Sequence, residues 1–173
     1  FRMKICIILS TRPEIIKLVS FINLLKKNKE NFFLINTNQH YSNIMSDVFF
    51  NFFKLSKPKY NIKASNRSNV SFFSKTLNEV EKILIKEKPD YFIVQGDTNT
   101  AMAGCLACSI YNRKYINLRD KIKIIHIEAG LRSFDETMPE EINRTIIDKL
   151  SDVLFVPTDF DVLNIKKENL SKN

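Results

Sequence analysis

Five short apolar runs punctuate the chain, at residues 3–9 (MKICIIL), 32–36 (FFLIN), 91–95 (YFIVQ), 122–127 (IKIIHI) and 153–156 (VLFV), and segments with helical spacing separate them. Each run is continuous rather than alternating, the pattern of a strand covered on both faces. Strands of that kind in regular alternation with helices predict a parallel sheet with helices on both sides. The expected fold class is therefore α/β, a Rossmann-like parallel sheet. Helices are expected at 13–27, at 42–54, at 70–87, from the Gly96-Asp97-Thr98 turn to about residue 111, at 139–150 and at 158–170. Residues 56–69 lack periodicity and read as a surface loop, and 112–121 as a polar connection whose last part, 115–121, is a surface insertion.

Composition removes most other architectures. A length of 173 residues suits one domain, expected over 3–170, and no apolar stretch approaches the ~20 residues of a membrane span. The only glycines, Gly96, Gly104 and Gly130, fit neither G-x-G-x-x-G nor the P-loop. Two histidines, far apart in sequence, make a histidine-rich zinc site improbable, so no metal is expected. Three cysteines, an odd number with no secretory leader before them, read as reduced thiols in a cytoplasmic setting. Cys105 and Cys108 form a C-x-x-C well inside a helix, where they read as small packing residues rather than a redox pair. The chain opens at Phe1 rather than at methionine, which reads as removal of something upstream or as a two-residue scar.

The 27 basic and 19 acidic residues leave a net charge of +8, which fits either a solvated basic surface or an anionic partner. Arginines are not interleaved with aromatic residues, so no nucleic-acid partner is expected.

In open α/β sheets ligands bind outside the carboxyl ends of the strands, so those ends carry the functional information. Here they are polar and charged. Arg12 follows the first run, Gln39 and His40 the second, Asp97 the third and Glu128 the fourth, while the helix after the fourth begins Pro139-Glu140-Glu141 with Arg144 one turn on. Arg12, beside a helix N-terminus opened by Pro13, has the bidentate geometry and location that suit a phosphate. Crowded carboxylates raise one another's pKa, which divides acid and base roles among them. Glu140 and Arg144 are spaced i, i+4 and are expected to pair. His126, within an apolar run, reads as a hydrogen-bonded core residue rather than a catalyst.

Thr11-Arg12-Pro13-Glu14, Gln39-His40, Gly96-Asp97-Thr98, His126-Ile127-Glu128-Ala129-Gly130-Leu131-Arg132 and Pro139-Glu140-Glu141-Ile142-Asn143-Arg144, in this order and each after a strand, resemble the non-hydrolysing UDP-N-acetylglucosamine 2-epimerase family. The resemblance runs from Met3 to about Leu170 and covers only the N-terminal half of a GT-B fold. Ser10 stands where that family has a glycine.

The resemblance implies a cytoplasmic isomerase interconverting UDP-GlcNAc and UDP-ManNAc by elimination and re-addition of UDP, in surface polysaccharide synthesis, without cofactor or metal. It implies that Asp97, Glu128 and Glu140 share the acid, base and charge-stabilising roles, without dividing them. Arg144 would orient Glu140 or the sugar, and Arg12, Gln39 and His40 would bind substrate. It further implies a homodimer, with the Phe-rich helix at 42–54 as a candidate contact, and a C-terminal domain that completes the site, so that this half alone is inactive. The hydrolysing epimerases and a truncated non-catalytic homologue are the alternatives.

Overall fold

A computed structural model describes residues 3–38, 43–64, 68–115 and 121–170, with the side chains of 43–47 outside that description. Its elements are β1 (Lys4–Leu9), α1 (Arg12–Lys27), β2 (Asn31–Asn36), α2 (Asn43–Phe52), β3 (Tyr60–Asn61), α3 (Asn69–Glu87), β4 (Tyr91–Gln95), α4 (Asn99–Tyr115), β5 (Lys123–Ile127), α5 (Pro139–Leu150), β6 (Val153–Phe155) and α6 (Asp159–Lys167). The strands form one sheet in the order β3-β2-β1-β4-β5-β6, and every pairing is parallel. This is the Rossmann-like layer expected from the apolar runs. The order reverses between β1 and β4, and the crevice at that reversal is where such sheets take ligands.

Side-chain alternation along the strands divides the core in two. Cys6 and Ile8 of β1, Phe33 and Ile35 of β2, and Phe92 and Val94 of β4 pack with α3, α4 and α5 on one face. Ile7, Leu9, Leu34 and Ile93 face the opposite way, against Ile15, Leu18 and Ile22 of α1 and Phe50 of α2. The small residues of α4 explain its close seat. A Cβ placed on Gly104 would lie 2.9 Å from Ile8 Cγ2 and 3.2 Å from Phe92 Cε1, so a side chain there would push the helix off the sheet. Cys105 and Cys108 are buried free thiols in the same helix, as packing residues.

Two expectations are revised. The stretch 56–69 contains β3, which pairs with β2 through Ile35–Tyr60 and Asn36–Asn61, and the flanking Leu55 and Ile62 are buried. Two residues are too few to show a period, which is why the strand is invisible in the sequence. The connection after α4 starts later than expected, because the helix continues through Tyr115. Asn112 stays buried by exchanging hydrogen bonds with Ile122, its Nδ2 donating to the carbonyl at 2.8 Å and its Oδ1 accepting from the amide at 3.0 Å. The proposed insertion at 115–121 falls mostly on 116–120, outside the described residues. No described helix is long and apolar enough to cross a membrane.

The β3 edge is secured by charge. Glu87, buried at the end of α3, meets Lys4 Nζ at 2.5 Å and Lys59 Nζ at 2.8 Å, and also accepts from the Tyr60 hydroxyl. These bonds, from Lys4 first, hold the Glu87 carboxyl at about 2. Burial, then Glu87, pushes the Tyr60 phenol up to about 12. A carboxyl depressed in the folded state contributes stability above its unfolded value and loses it as pH falls toward the folded one. The stability difference between wild type and Glu87→Gln, read from thermal melts, should therefore be full at pH 6 and shrink by at most about 3 kcal/mol as pH falls through 4.5 toward 2. A difference independent of pH would show that the charge is not what secures the edge.

Candidate functional site

The site begins with how α1 starts. Thr11 caps the helix, its hydroxyl accepting from the Glu14 amide at 3.5 Å, while Glu14 Oε2 accepts from the amides of Thr11 at 2.6 Å and Ser10 at 3.0 Å. This is a complete capping box, and the Thr-x-x-Glu spacing is its sequence signal. Glu14 Oε1 also accepts from the Thr98 hydroxyl at 2.8 Å, so one buried carboxylate joins the ends of β1 and β4 across the crevice. Burial pushes the Glu14 carboxyl up, opposed by the bonds from Thr11, Thr98 and Ser10. Arg12, the first residue of α1, is exposed beside this cap.

β4 is followed by Gly96, whose positive φ of 67° turns the chain so that Asp97 follows at the crevice. The Asp97 carboxylate is paired with Arg144 Nη2, and its backbone carbonyl accepts from Asn143 Nδ2 at 2.8 Å. α5 thus delivers two consecutive side chains to one residue of the β4 turn. Arg144 is placed differently from the i, i+4 expectation: its second partner is Glu141, at 3.3 Å, and Glu140 is exposed in the first turn of α5. The turn geometry explains this. Glu141 is buried because its oxygens accept from the amides of Ser133 at 2.9 Å and Phe134 at 3.1 Å, which brings it to the side of Arg144. Burial opposes the Glu141 charge, but the Ser133 and Phe134 donors and Arg144 outweigh it and hold the carboxyl below its usual range. Among the described residues Arg144 Nε is buried with no hydrogen-bond partner, so these contacts do not saturate the guanidinium.

β5 is followed by Glu128, which adopts a φ of +74°, uncommon for a residue with a side chain and frequent at functional sites. The carbonyl of Phe155 in β6 holds this turn by accepting from both the Glu128 and Ala129 amides at 3.0 Å. The carboxylate is gripped by Lys17 of α1, 2.7 Å from each oxygen, and by Gln95 Nε2. It lies over the neighbouring turn, since a Cβ on Gly96 would be 3.5 Å from Glu128 Oε2. Asp97 and Glu128 therefore sit on adjacent turns, each with its own cation. Crowding among carboxylates, expected from the sequence, gives way to alternating charge.

The structure thus brings Arg12, Asp97, Glu128, Glu140 and Arg144 to the carboxyl-end rim, while Gln39 and His40 lie outside the described residues. Sequence reasoning gave no role to Lys17, Gln95 or Glu141. Lys17 follows Arg12 at a spacing of five with no motif to mark it; only the packing of α1 beside β5 reveals it. Among the described residues no group of three or more His, Cys, Asp or Glu side chains is arranged to hold a metal ion. His126 is fully buried and hydrogen-bonded, the core role read for it.

Comparison with known proteins places this arrangement. A family model described as UDP-N-acetylglucosamine 2-epimerase matches residues 23–173. The UDP-N-acetylglucosamine 2-epimerase of Methanocaldococcus jannaschii is 47% identical over 171 residues, covering 99% of this chain and 44% of the relative. The enzyme of that name from Methanococcus maripaludis is 51% identical over 168 residues, covering 97% and 43%. The crystal structure of the Methanocaldococcus jannaschii protein in complex with UDP-GlcNAc and UDP superposes with a TM-score of 0.88 at 47% identity, over 98% of this chain and 44% of that one. The chain therefore spans less than half the length of the curated relatives it matches.

The Glu14 bridge gives a prediction independent of catalysis. Glu14→Ala leaves the Ser10 and Thr11 amides without their buried acceptor and should lower stability by about 2–4 kcal/mol in urea denaturation. A loss below about 0.5 kcal/mol would show that the cap alone holds the crevice.

Proposed function

The chain belongs to the UDP-N-acetylglucosamine 2-epimerase family, and from that premise we propose that it is the N-terminal domain, residues 3–170, of a two-domain cytoplasmic isomerase that interconverts UDP-GlcNAc and UDP-ManNAc for surface polysaccharide synthesis. The observation that carries the reading is the pair of adjacent turns ending β4 and β5, which set Asp97 with Arg144 beside Glu128 with Lys17. Epimerisation at C2 needs such an arrangement. A carboxylate removes the C2 proton, the electron pair of that C–H bond forms the C1–C2 double bond, and the C1–O bond to UDP breaks, leaving a glycal and UDP. Re-addition of UDP to C1 with protonation of C2 on the other face gives the epimer. A base and an acid on opposite faces are required, and elimination develops charge on the diphosphate, which cations stabilise until re-addition to C1 removes it.

In this reading Asp97, Glu128 and Glu140 carry the acid, base and charge-stabilising roles. Arg144 fixes Asp97, Arg12 faces the diphosphate from the start of α1, and Gln39 and His40 bind substrate. No metal or organic cofactor takes part. The second domain completes the site. A homodimer belongs to the same reading, with α2, where Val48 and Phe52 are 57% and 76% exposed, as the candidate contact.

Full-length enzyme incubated with UDP-GlcNAc in D₂O should yield UDP-ManNAc deuterated at C2 by NMR. Asp97→Asn, Glu128→Gln and Glu140→Gln should each slow this by roughly 10²-fold or more. The present chain alone should give no turnover. Release of free ManNAc would assign the hydrolysing reaction instead, and a folded full-length protein without conversion would be a non-catalytic homologue.

A further inference from the structure

Beneath the Asp97 turn lies a buried charged chain with no part in the reaction as described. His126 on β5 is fully buried, with Nδ1 2.6 Å from Asp148 Oδ1 and Nε2 2.9 Å from the Gly96 carbonyl oxygen. Asp148 of α5, also fully buried, accepts at Oδ2 from the Gly130 amide at 3.1 Å and from Arg132 Nη1 at 2.8 Å. Arg132 then reaches Glu168 at the end of α6, Nε to Oε1 at 2.7 Å and Nη2 to Oε2 at 2.8 Å, and its Nη1 also donates to the Leu131 carbonyl at 2.7 Å.

Donors and acceptors in this chain do not balance if the imidazole is neutral. A neutral ring has one N–H, yet both of its nitrogens face oxygen. The Gly96 carbonyl accepts only, so Nε2 must donate to it. The other contact then needs one more proton, shared along Nδ1 and Asp148 Oδ1. Arg132 lies against the second oxygen of Asp148 and favours leaving that carboxylate ionised, which puts the proton on the ring.

We infer that His126 is held as an imidazolium by Asp148 and serves as a positioning residue for Asp97, its Nε2–H fixing the Gly96 carbonyl. The Gly96 carbonyl and the Asp97 amide share one peptide plane. A donor locked onto that carbonyl therefore sets the direction in which the Asp97 side chain leaves the turn. Asn143 on the next carbonyl and Arg144 on the carboxylate finish the alignment. The inference rests on the epimerase reading for its kinetic consequence, but the state of the ring does not.

The test uses full-length enzyme with ¹⁵N-labelled histidine at pH 7.5, where an exposed imidazole is mostly neutral. Wild type should show His126 with protons on both ring nitrogens, assigned by loss of those signals in His126→Phe. In Asp148→Asn the amide oxygen can take the Gly130 and Arg132 donors while the amide nitrogen faces the ring, so one proton should remain, on Nε2. The turn itself is read without turnover from the Gly96 carbonyl to Asp97 amide cross-peak in protein labelled with ¹³C-carbonyl glycine and ¹⁵N-aspartate. That peak should move in His126→Phe and hold its place in Asp148→Asn. Under the epimerase reading, His126→Phe should lower kcat roughly tenfold to a hundredfold with KM within about threefold, and Asp148→Asn should keep kcat within about threefold. A wild-type ring with a single N–H overturns the inference, on unmodified protein that needs no variant to fold. So does an unmoved cross-peak, or an unchanged kcat, in His126→Phe. Wild-type enzyme without epimerase activity would instead overturn the function, while ring and cross-peak still decide this inference.

Discussion

The turn Gly96-Asp97-Thr98 after β4 is held from three sides. Gly96 donates its amide to Ile127 of β5 and accepts from His126 of the same strand, Asp97 accepts from Asn143 of α5, and the following Thr98 hydroxyl reaches Glu14 of α1. Three elements thus converge on a turn of three residues. A left-handed turn with few internal hydrogen bonds is rigid only when its surroundings determine it, and these contacts do so. The adjacent Glu128 turn is held in a similar way, by the Phe155 carbonyl from below and Lys17 from the side.

In the proposed epimerisation, rigidity of this kind has a chemical use. Proton transfer at a carbon centre depends on placing a carboxylate within a fraction of an ångström of its target, and a preorganised site avoids reorganisation at the moment of reaction. The cations around the rim serve the same end. Arg144 and Lys17 act directly on carboxylates of the rim, while Arg132 acts at a distance, through Asp148 and His126. Burial opposes the Arg132 charge, but the bonds from Glu168 and Asp148 outweigh it and push the guanidinium further toward its charged form.

Much of this was legible because the fold class depends on local pattern. Continuous runs such as CIIL and FIV mark strands covered on both faces, and carboxyl ends of parallel strands share one edge, so the positions of Arg12, Asp97 and Glu128 on that edge follow from topology alone. β3 was illegible because two residues carry no period; its place depends on pairing with β2 and on the ion cluster around Glu87. The Arg144 pairing was misread for a different reason. Helical spacing allows Glu140 and Glu141 alike as neighbours of Arg144, and the choice is made by the 133–134 loop, whose amides need the Glu141 carboxylate.

Local sequence is enough for the parallel α/β layer, the rim and the residue types on it, because strand patterning and the direction of the chain through a parallel sheet are set over a few residues at a time. Tertiary structure decided which charges meet. Lys17 with Glu128, Arg144 with Asp97 and His126 with the Gly96 carbonyl each join residues more than 15 positions apart. Such pairings depend on how α1 and α5 seat against the sheet, and no spacing rule along the chain encodes that seating.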